Sequence, residues 1–372
     1  MRKGFQYPQV ELGILINPKY DKIKKEDFKE DFDVIEKISF SDGKIHLRDK
    51  RETGMDLYKI EAGDLITSKI NVHQGAVALS SSDLACSTHY QVYSVNQIKI
   101  NPNYLILVLR SEKFLKEVNI EKAGGIKNEA GAEFLGKFKI PIPPLEIQMD
   151  IVAKIEKQQQ IIEGVKIIEE SWTIQLDIPK NTHKVLLKDI TSYITDGTHK
   201  TPNYVSVGVP FISAQNIKDF RLDLENVKFI SDEEYQQYFS NKKLEEDDVL
   251  MAKSGTIGVA ALFPSSEKYA FYESLAIIRP IKAKVLPKYL VHFLNSSYSD
   301  DLTEQNKKGI GVKHLHLEDI RNFEILLPPL EIQRQLVENI DRQMQALESV
   351  RFLKSEADKQ IKEILAEVWG SS

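Results

Sequence analysis

The strongest constraint on the fold of this chain is an internal repeat. The segment at 138–148, FKIPIPPLEIQ, matches FEILLPPLEIQ at 323–333 in eight of eleven positions, at an offset of 185 residues. The same offset aligns PNYL at 102–105 with PKYL at 287–290. Because the chain has 372 residues, about twice this offset, the sequence predicts one structural unit that occurs twice.

Each predicted unit has two parts. The first part mixes short β-rich runs with Gly, Asn and Asp turns and has a helical stretch after Pro102 or Pro287. The second part begins at a Pro-Pro pair, which is favourable at the start of a helix and unfavourable inside one, and it continues without proline to residue 172 or 369. We therefore expect an α+β fold in four segments: a mixed domain at 1–142, a central helix at 143–176, a second mixed domain at 177–327 and a C-terminal helix at 328–369.

Both predicted helices carry apolar residues in a shared heptad register. The seam positions are Ile151, Ile155, Ile162, Val165, Leu336, Ile340, Leu347, Val350, Ile361 and Ile364. An amphipathic stripe of this kind is more often buried against the helix's own domain than against a second helix. Here two long and equivalent helices can each bury their seam against the other, which favours an antiparallel coiled coil with pseudo-two-fold symmetry.

Composition excludes several classes of protein. Cys86 is the single cysteine, which rules out a disulfide framework and a cysteine-based zinc site. No stretch approaches the roughly 18 apolar residues that span a bilayer, and the N-terminal residues lack the apolar run of a signal peptide, so we expect a cytoplasmic protein. The formal charge of −5 does not indicate nucleic-acid binding, so DNA binding would require local basic clusters or partner subunits.

The motifs of known enzymes are incomplete in this chain. The NPKY string at 17–20 and the NPNY string at 101–104 resemble the Asn/Asp-Pro-Pro-aromatic motif of amino-methyltransferases, but both lack the second proline. His314 and His316 could ligate a metal, yet no third ligand is apparent. We therefore expect no catalytic centre, no metal site and no cofactor held by this chain itself.

Polar, aromatic and basic residues are concentrated in predicted turns. Their side chains can bond base edges and phosphates, although any one such loop could equally be plain surface. Candidates for base contacts in the first unit are Lys44, His46, Arg48, Lys50, Arg51, Lys69, Asn71, His73 and Gln74. Those in the second unit are Thr198, His199, Lys200, Tyr204, Gln215, Asn216, Lys218, Lys253, Ser254 and Thr256. Candidates for phosphate contacts are Lys122, Lys127, Lys307, Lys308 and Lys313.

Three features together resemble the specificity (S) subunits of type I restriction-modification systems: the repeated PPLEIQ before a long helix, the GTHKTPNY…GVPFI…NI stretch at 197–217, and KSGTIG at 253–258. The resemblance implies two target-recognition domains that each read one half of a split, asymmetric DNA site. It also implies helices that act as a spacer and dock two adenine-N6 methyltransferase subunits, which bring S-adenosylmethionine, with restriction subunits completing the complex. The first unit lacks the GTHK…GVPFI stretch, so family-based contact assignments are weaker for residues 1–100.

Other functions remain open on the sequence alone. A specificity subunit of a type IIB-like enzyme has the same features and would be distinguished by its neighbouring genes. A nuclease or methyltransferase in its own right would need catalytic motifs that the chain lacks. A purely structural coiled-coil adaptor would not bind DNA even with its partners present.

Overall fold

The computed structural model describes residues 7–123, 132–172, 175–299 and 314–370. Contacts between Cα atoms divide the chain into two compact units. The first unit comprises Met1–Glu170 together with Val350–Ser372, and the second comprises Ser171–Ser349. The predicted boundaries at 142 and 327 instead separate the helices from the mixed domains, whereas here each compact unit includes helical residues.

Within its described residues, the first unit contains eleven strands and three short helices, followed by a helix of 27 residues. Its strands are β1 (Gln9–Glu11), β2 (Ile16–Lys19), β3 (Lys22–Ile23), β4 (Ile35–Ile38), β5 (Ile45–Leu47), β6 (Leu57–Ile60), β7 (Leu65–Ser68), β8 (Val77–Leu79), β9 (Leu84–Ser87), β10 (Tyr90–Val95) and β11 (Lys139–Pro141). Its helices are α1 (Pro102–Leu109), α2 (Glu112–Ala123), α3 (Ala132–Gly136) and α4 (Leu145–Ser171).

The second unit follows the same order of elements. Its strands are β12 (Lys184–Leu186), β13 (Thr191–Asp196), β14 (Tyr204–Val205), β15 (Val209–Ile212), β16 (Ile217–Lys218), β17 (Arg221–Leu222), β18 (Lys228–Ile230), β19 (Val249–Ala252), β20 (Ala260–Leu262), β21 (Ala270–Phe271), β22 (Leu275–Pro280) and β23 (Glu324–Leu326). Its helices include α5 (Asp232–Phe239), α6 (Pro287–Leu294) and α7 (Leu317–Arg321). The last helix, α8 (Leu330–Val368), contributes residues to both units.

The predicted duplication is present in the sheets. An antiparallel sheet in the order β2-β10-β7-β8 corresponds to one in the order β13-β22-β19-β20, and the pair β1-β11 corresponds to β12-β23. Helices α1 and α6 both begin at a proline, 185 residues apart. The mixed α+β class is therefore confirmed, and the same scaffold of sheet and helices occurs in both units.

The two units differ in one segment, which lies between β2 and β7 in the first unit and between β13 and β19 in the second. In the first unit this segment contributes a β4-β5 hairpin and two strands of the three-stranded sheet β3-β6-β9. In the second unit it supplies most of the four-stranded sheet β14-β18-β15-β21, the hairpin β16-β17 and helix α5. This difference explains why the GTHK…GVPFI stretch has no counterpart in the first unit.

A buried glutamine explains why the PPLEIQ motif occurs twice. Gln148 is fully buried; its Nε2 donates to the Pro143 carbonyl at 2.8 Å, and its Oε1 accepts from the Asn101 N–H at 2.8 Å. Gln333 is also fully buried and makes the equivalent bonds to the Pro328 carbonyl and the Leu286 N–H, both at 2.8 Å.

The two glutamines therefore perform the same structural task. Each joins the first turn of a long helix to the start of the short helix after Pro102 or Pro287. Tyr104 and Tyr289 strengthen the same junction, because each hydroxyl donates to the carbonyl at the end of the strand that precedes the Pro-Pro pair.

Within the first unit, α4 packs against the C-terminal part of α8. Ile151, Ile155, Val368 and Trp369 belong to one buried cluster. Farther along α4, the Glu169 carboxylate accepts from the Arg351 Nε at 3.0 Å. The contacts run in opposite directions along the two helices, so these segments are antiparallel.

Within the second unit, the early part of α8 packs against the chain that follows α4. Leu336 and Ile340 share a buried cluster with Leu176 and Ile178, and the Gln175 N–H donates to the Gln343 side chain at 3.4 Å. All ten predicted seam residues are buried or partly buried.

None of the described helices has the length and apolar character needed to span a bilayer.

Candidate nucleic-acid interface

The second unit contains a cleft of about 870 Å³ on its non-duplicated side, which we call the second-unit cleft. It brings together six of the predicted base-contact residues, Tyr204, Gln215, Asn216, Lys218, Ser254 and Thr256. These residues come from three separate stretches of the chain. Sequence reasoning missed five further polar or aromatic lining residues, namely Asp223, Asn226, Lys228, Tyr272 and Ser274.

A short 3-10 helix at Ala214–Asn216 holds Gln215 at the edge of this cleft. Ser213 and Asn216 form a capping box, in which the Asn216 side chain accepts from the Ser213 N–H at 2.9 Å. The Asn216 amide group also donates to the Asp223 carbonyl at 3.1 Å. Because Asn216 is committed to the turn, the exposed Gln215 is the amide better placed to meet a base edge.

Aromatic rings form one wall of the second-unit cleft. The rings of Tyr204 and Phe211 meet edge to face with centroids 5.8 Å apart, and the Phe211 and Tyr272 centroids are 6.2 Å apart. The Lys228 Nζ lies 4.2 Å from the centroid of the Tyr204 ring. An aromatic surface with a cation beside it suits bases and sugars that carry nearby phosphates.

An ion pair reduces the positive charge at the cleft. The Lys218 Nζ lies 2.6 Å from the Asp223 carboxylate, and this bond is the main reason that the pKa of Asp223 is lowered to about 2. Asp223 is therefore ionised at neutral pH, and Lys218 faces the cleft as half of a pair. An incoming phosphate would have to compete with this carboxylate for the lysine.

Lys253 is also committed to a carboxylate. Its Nζ lies 2.5 Å from the Asp196 carboxylate, and both side chains are only 11% exposed. His199 extends this group, because its Nε2 lies 3.6 Å from Asp196 and its Nδ1 bonds Glu273. Among the remaining candidates nearby, the hydroxyl of Thr198 accepts from the Lys200 N–H at 3.2 Å and so shapes the loop.

Two glycines make the second-unit loops possible. A Cβ atom on Gly197 would lie 2.0 Å from the Phe271 carbonyl oxygen, and one on Gly208 would lie 2.1 Å from the Ile230 carbonyl oxygen. Both distances are far below van der Waals contact. The glycine of the GTHK motif is thus required by close backbone packing beside the Lys253 ion pair.

The first unit has a smaller pocket of about 350 Å³, which we call the first-unit pocket. It brings together two of the predicted residues, His46 from β5 and Asn71 from the loop after β7. Its other lining residues, which the sequence did not single out, are Lys37, Ile38, Ser39, Phe40, Ser68, Ala76 and Tyr90. One wall therefore comes from the β4-β5 hairpin and the other from the loop.

The other candidates in the 44–51 segment lie outside this pocket. Lys44 is exposed and lies 3.8 Å from the Asp42 carboxylate, and Lys50 is exposed at the surface. Arg48 is partly buried. The Arg51 guanidinium lies 2.7 Å from the Asp33 carboxylate, so it has an acidic partner.

Two further candidates, His73 and Lys122, lie close together at the loop after β7. The Lys122 Nζ bonds the Ile70 carbonyl and lies 3.3 Å from the His73 Nδ1. Burial and the charge of Lys122 lower the pKa of His73, and burial lowers the pKa of Lys122. Gln74 is exposed, and the Lys69 Nζ lies 5.7 Å from the centroid of the Tyr58 ring.

The candidate loops occupy the same place in both copies of the sheet. Lys69 follows β7, and its N–H donates to the His89 carbonyl at 3.0 Å. Lys253 follows β19, and its N–H donates to the Ser274 carbonyl at 2.7 Å. The loops at 69–74 and 253–258 are therefore equivalent, although their sequences differ.

Four of the five predicted phosphate contacts, Lys127, Lys307, Lys308 and Lys313, lie outside the described residues. His314 and His316 are exposed. Across the described residues, no three His, Cys, Asp or Glu side chains are grouped so that they could hold a metal ion.

Comparison with known proteins gives a consistent result. Residues 10–171 and 179–356 each match the family model of the type I restriction modification DNA specificity domain. The chain is 24% identical over 165 residues to the putative type I restriction enzyme MjaX specificity subunit of Methanocaldococcus jannaschii, a match that covers 43% of this chain and 39% of that protein. It is 24% identical over 266 residues to the type I restriction enzyme EcoBI specificity subunit of Escherichia coli, covering 71% of this chain and 52% of that protein.

A solved structure supports the fold. A chain from a study of complex assembly and conformational transition of the type I R-M system superposes with a TM-score of 0.65 at 20% identity. The superposition covers 98% of this chain and 99% of that one. By contrast, the chain spans only about two fifths to half of the length of the two curated relatives described above.

Proposed function

Since the chain belongs to the type I restriction-modification DNA specificity family, we propose that it is the DNA-recognition subunit of a type I restriction-modification complex. Each unit reads one half of a split, asymmetric site. The chain contributes no catalytic group of its own and acts on cellular DNA in the cytoplasm. Two adenine-N6 methyltransferase subunits supply S-adenosylmethionine, and restriction subunits complete the complex.

One observation carries this proposal: a recess lined by both polar and apolar side chains opens beside the same loop in both copies of a duplicated scaffold. The first-unit pocket includes Asn71 from the loop after β7, and the second-unit cleft includes Ser254 and Thr256 from the equivalent loop after β19. Much of the remaining lining comes from the segments that differ between the copies. A constant scaffold with two different recesses is suited to reading two different half-sites.

The lining chemistry favours base recognition over catalysis. Gln215 offers an amide that can bond an adenine edge in a bidentate manner, and Ser254 and Thr256 offer hydroxyls that can donate or accept. Paired lysines such as Lys218 contribute little net charge, so the isolated chain should bind DNA weakly. The partner subunits would supply the remaining phosphate contacts.

The long helices serve as the spacer and docking element in this proposal. We propose that α4 and α8 pair over their length as an antiparallel coiled coil. The support is the antiparallel packing within the first unit, where Ile155 shares a core with Val368 and Glu169 bonds Arg351.

The test is a map of methylated bases in the genomic DNA of cells that carry the methyltransferase genes with and without this gene. We expect a bipartite motif that depends on the gene. Exchange of 183–322 for the equivalent part of a relative should then change one half of that motif and leave the other half unchanged. A methylation pattern that does not depend on the gene would refute the proposal, and a simultaneous change of both halves would refute independent reading by the two units.

A further inference from the structure

A single arginine joins the two walls of the first-unit pocket. Arg110 is the C-cap residue of α1 and is partly buried. Its Nη2 donates to the Phe40 carbonyl at 3.1 Å, at the tip of the β4-β5 hairpin. Its Nη1 donates to the Gly75 carbonyl at 2.6 Å and to the Val77 carbonyl at 3.3 Å, on the opposite wall.

The surrounding backbone is shaped to admit this side chain. Gly43 has a φ of +74°, and a Cβ atom there would lie 2.6 Å from the Arg110 Nη1. Gly75 has a φ of +95°, and a Cβ atom there would lie 2.9 Å from the Phe40 carbonyl oxygen. Glycine at both positions therefore allows the hairpin tip, the loop and the guanidinium to approach one another closely.

The second unit provides an internal comparison. Asn295 is the C-cap residue of α6 and occupies the position equivalent to Arg110, 185 residues later. Its amide donates to the Ala260 carbonyl at 2.8 Å and accepts from the Ala260 N–H at 2.8 Å. The asparagine thus binds the equivalent strand of the scaffold, β20, and among the described residues its side chain makes no hydrogen bond to the segment that differs between the units. The hydrogen bond to the β4-β5 hairpin is thus a contact of Arg110 that Asn295 does not reproduce.

We infer that Arg110 is a positioning residue for sequence recognition, which fixes the β4-β5 hairpin against the loop at 69–75 and so sets the shape of the first-unit pocket. The inference rests on the proposed function for its consequence in DNA reading. One charge-assisted bond holds the hairpin tip at the Phe40 carbonyl, and two more fix the same guanidinium to the opposite wall. The base of the hairpin is anchored separately by Ile35 and Ile38 in an apolar cluster. Loss of the arginine should therefore release the tip without unfolding the unit.

The principal variant is Arg110→Asn, which installs the residue that the scaffold already accepts at the equivalent position. Two measurements are made on the full chain, alone and in the methyltransferase complex. Amide hydrogen exchange should become at least about tenfold faster at 39–46 and stay unchanged at 103–109 in α1, because each 1.4 kcal/mol of lost protection is a factor of ten. The methylated-base map should show relaxed base preference in the half-site read by the first unit only.

A second variant tests the same contact from the other side. Gly43→Ala keeps the arginine but places a methyl group 2.6 Å from the Nη1, so it should displace the guanidinium and give the same pattern as Arg110→Asn. Arg110→Lys retains one cationic donor and should give an intermediate pattern. Gln215→Ala serves as the matched control, because it should relax the half-site read by the second unit and leave exchange at 39–46 unchanged.

Unchanged exchange at 39–46 in Arg110→Asn would overturn the inference, since the hairpin would then be held by other contacts. Faster exchange with an unchanged first half-site would also overturn it, because the position of the hairpin would not matter for reading. If the wild-type gene directs no methylation, the proposed function fails, while the exchange measurement still decides whether Arg110 holds the hairpin.

Discussion

The buried glutamines Gln148 and Gln333 allow a prediction in which each copy of the fold is the control for the other. Replacing either with Met keeps the length of the side chain and removes its polar atoms. At Gln148 this leaves two backbone groups without their side-chain partner, the Asn101 N–H and the Pro143 carbonyl. At Gln333 it leaves the equivalent Leu286 N–H and Pro328 carbonyl unpaired, and it also removes a longer bond, at 3.1 Å, to the carbonyl of the exposed residue Lys284.

The expected magnitudes are the same at the two sites. Taking about 1.5 kcal/mol for each of the two equivalent groups that lose their partner, either substitution should cost about 3 kcal/mol of local stability. Since about 1.4 kcal/mol corresponds to a factor of ten, exchange of protected amides should become about 10²-fold faster at 99–109 for Gln148→Met and at 284–294 for Gln333→Met.

Hydrogen exchange measured by mass spectrometry on the full chain distinguishes the two regions. Gln335→Met is the matched control, because Gln335 lies on the same helix as Gln333 and is exposed, so it should change neither region. Acceleration of the same region by both variants, or acceleration below tenfold in the region next to the substitution, would refute the role assigned to these side chains.

Three further predictions concern the second unit and the single cysteine. Gly197→Ala should unfold or displace the strand that ends at Phe271, because the new methyl group would lie 2.0 Å from the Phe271 carbonyl oxygen. Circular dichroism and hydrogen exchange at 268–273 would detect this change, and a spectrum and exchange rates equal to those of the wild type would contradict it. Lys253→Met should lose about 3–5 kcal/mol, because Asp196 would remain buried without its cation, and Lys253→Arg should recover part of the loss in a urea titration. Burial raises the pKa of Cys86 to about 12, so the folded chain should resist a thiol reagent at pH 8 and react only after unfolding; rapid labelling of the native chain would contradict the burial.

The duplication, the α+β class and the starts of both long helices could be predicted because each depends on local sequence. Identical PPLEIQ motifs report a repeat directly, and proline restricts where a helix can begin. The helix at Leu145–Ser171 lies within the predicted segment 143–176, and Leu330–Val368 lies within 328–369. The predicted seam residues are buried or partly buried for the same reason, since a heptad pattern fixes which face of a helix is apolar.

The sites were harder to predict because they depend on contacts between distant segments. Turn composition identified Gln215 and Ser254 as candidates, and the fold brings both to one cleft. No local signal distinguishes a lysine that faces DNA from one that pairs with a carboxylate, so the ion pair of Lys253 with Asp196 could not be read from the sequence. Arg110 was missed for a similar reason, because in the sequence it is an ordinary charged residue after an apolar helix. Its role is visible only in the fold, where the backbone carbonyls of Phe40, Gly75 and Val77 lie around its guanidinium.

The position of Trp369 has a consequence for the order in which the protein can fold during synthesis. Its indole N–H donates to the Ser111 hydroxyl at 3.0 Å, across a separation of 258 residues, within the core of the first unit. At about 5–20 residues per second, a ribosome needs roughly 13–50 s to make the chain between them. The first unit therefore leaves the ribosome with its core incomplete, and the second unit is fully synthesised before Val368 and Trp369 can close that core.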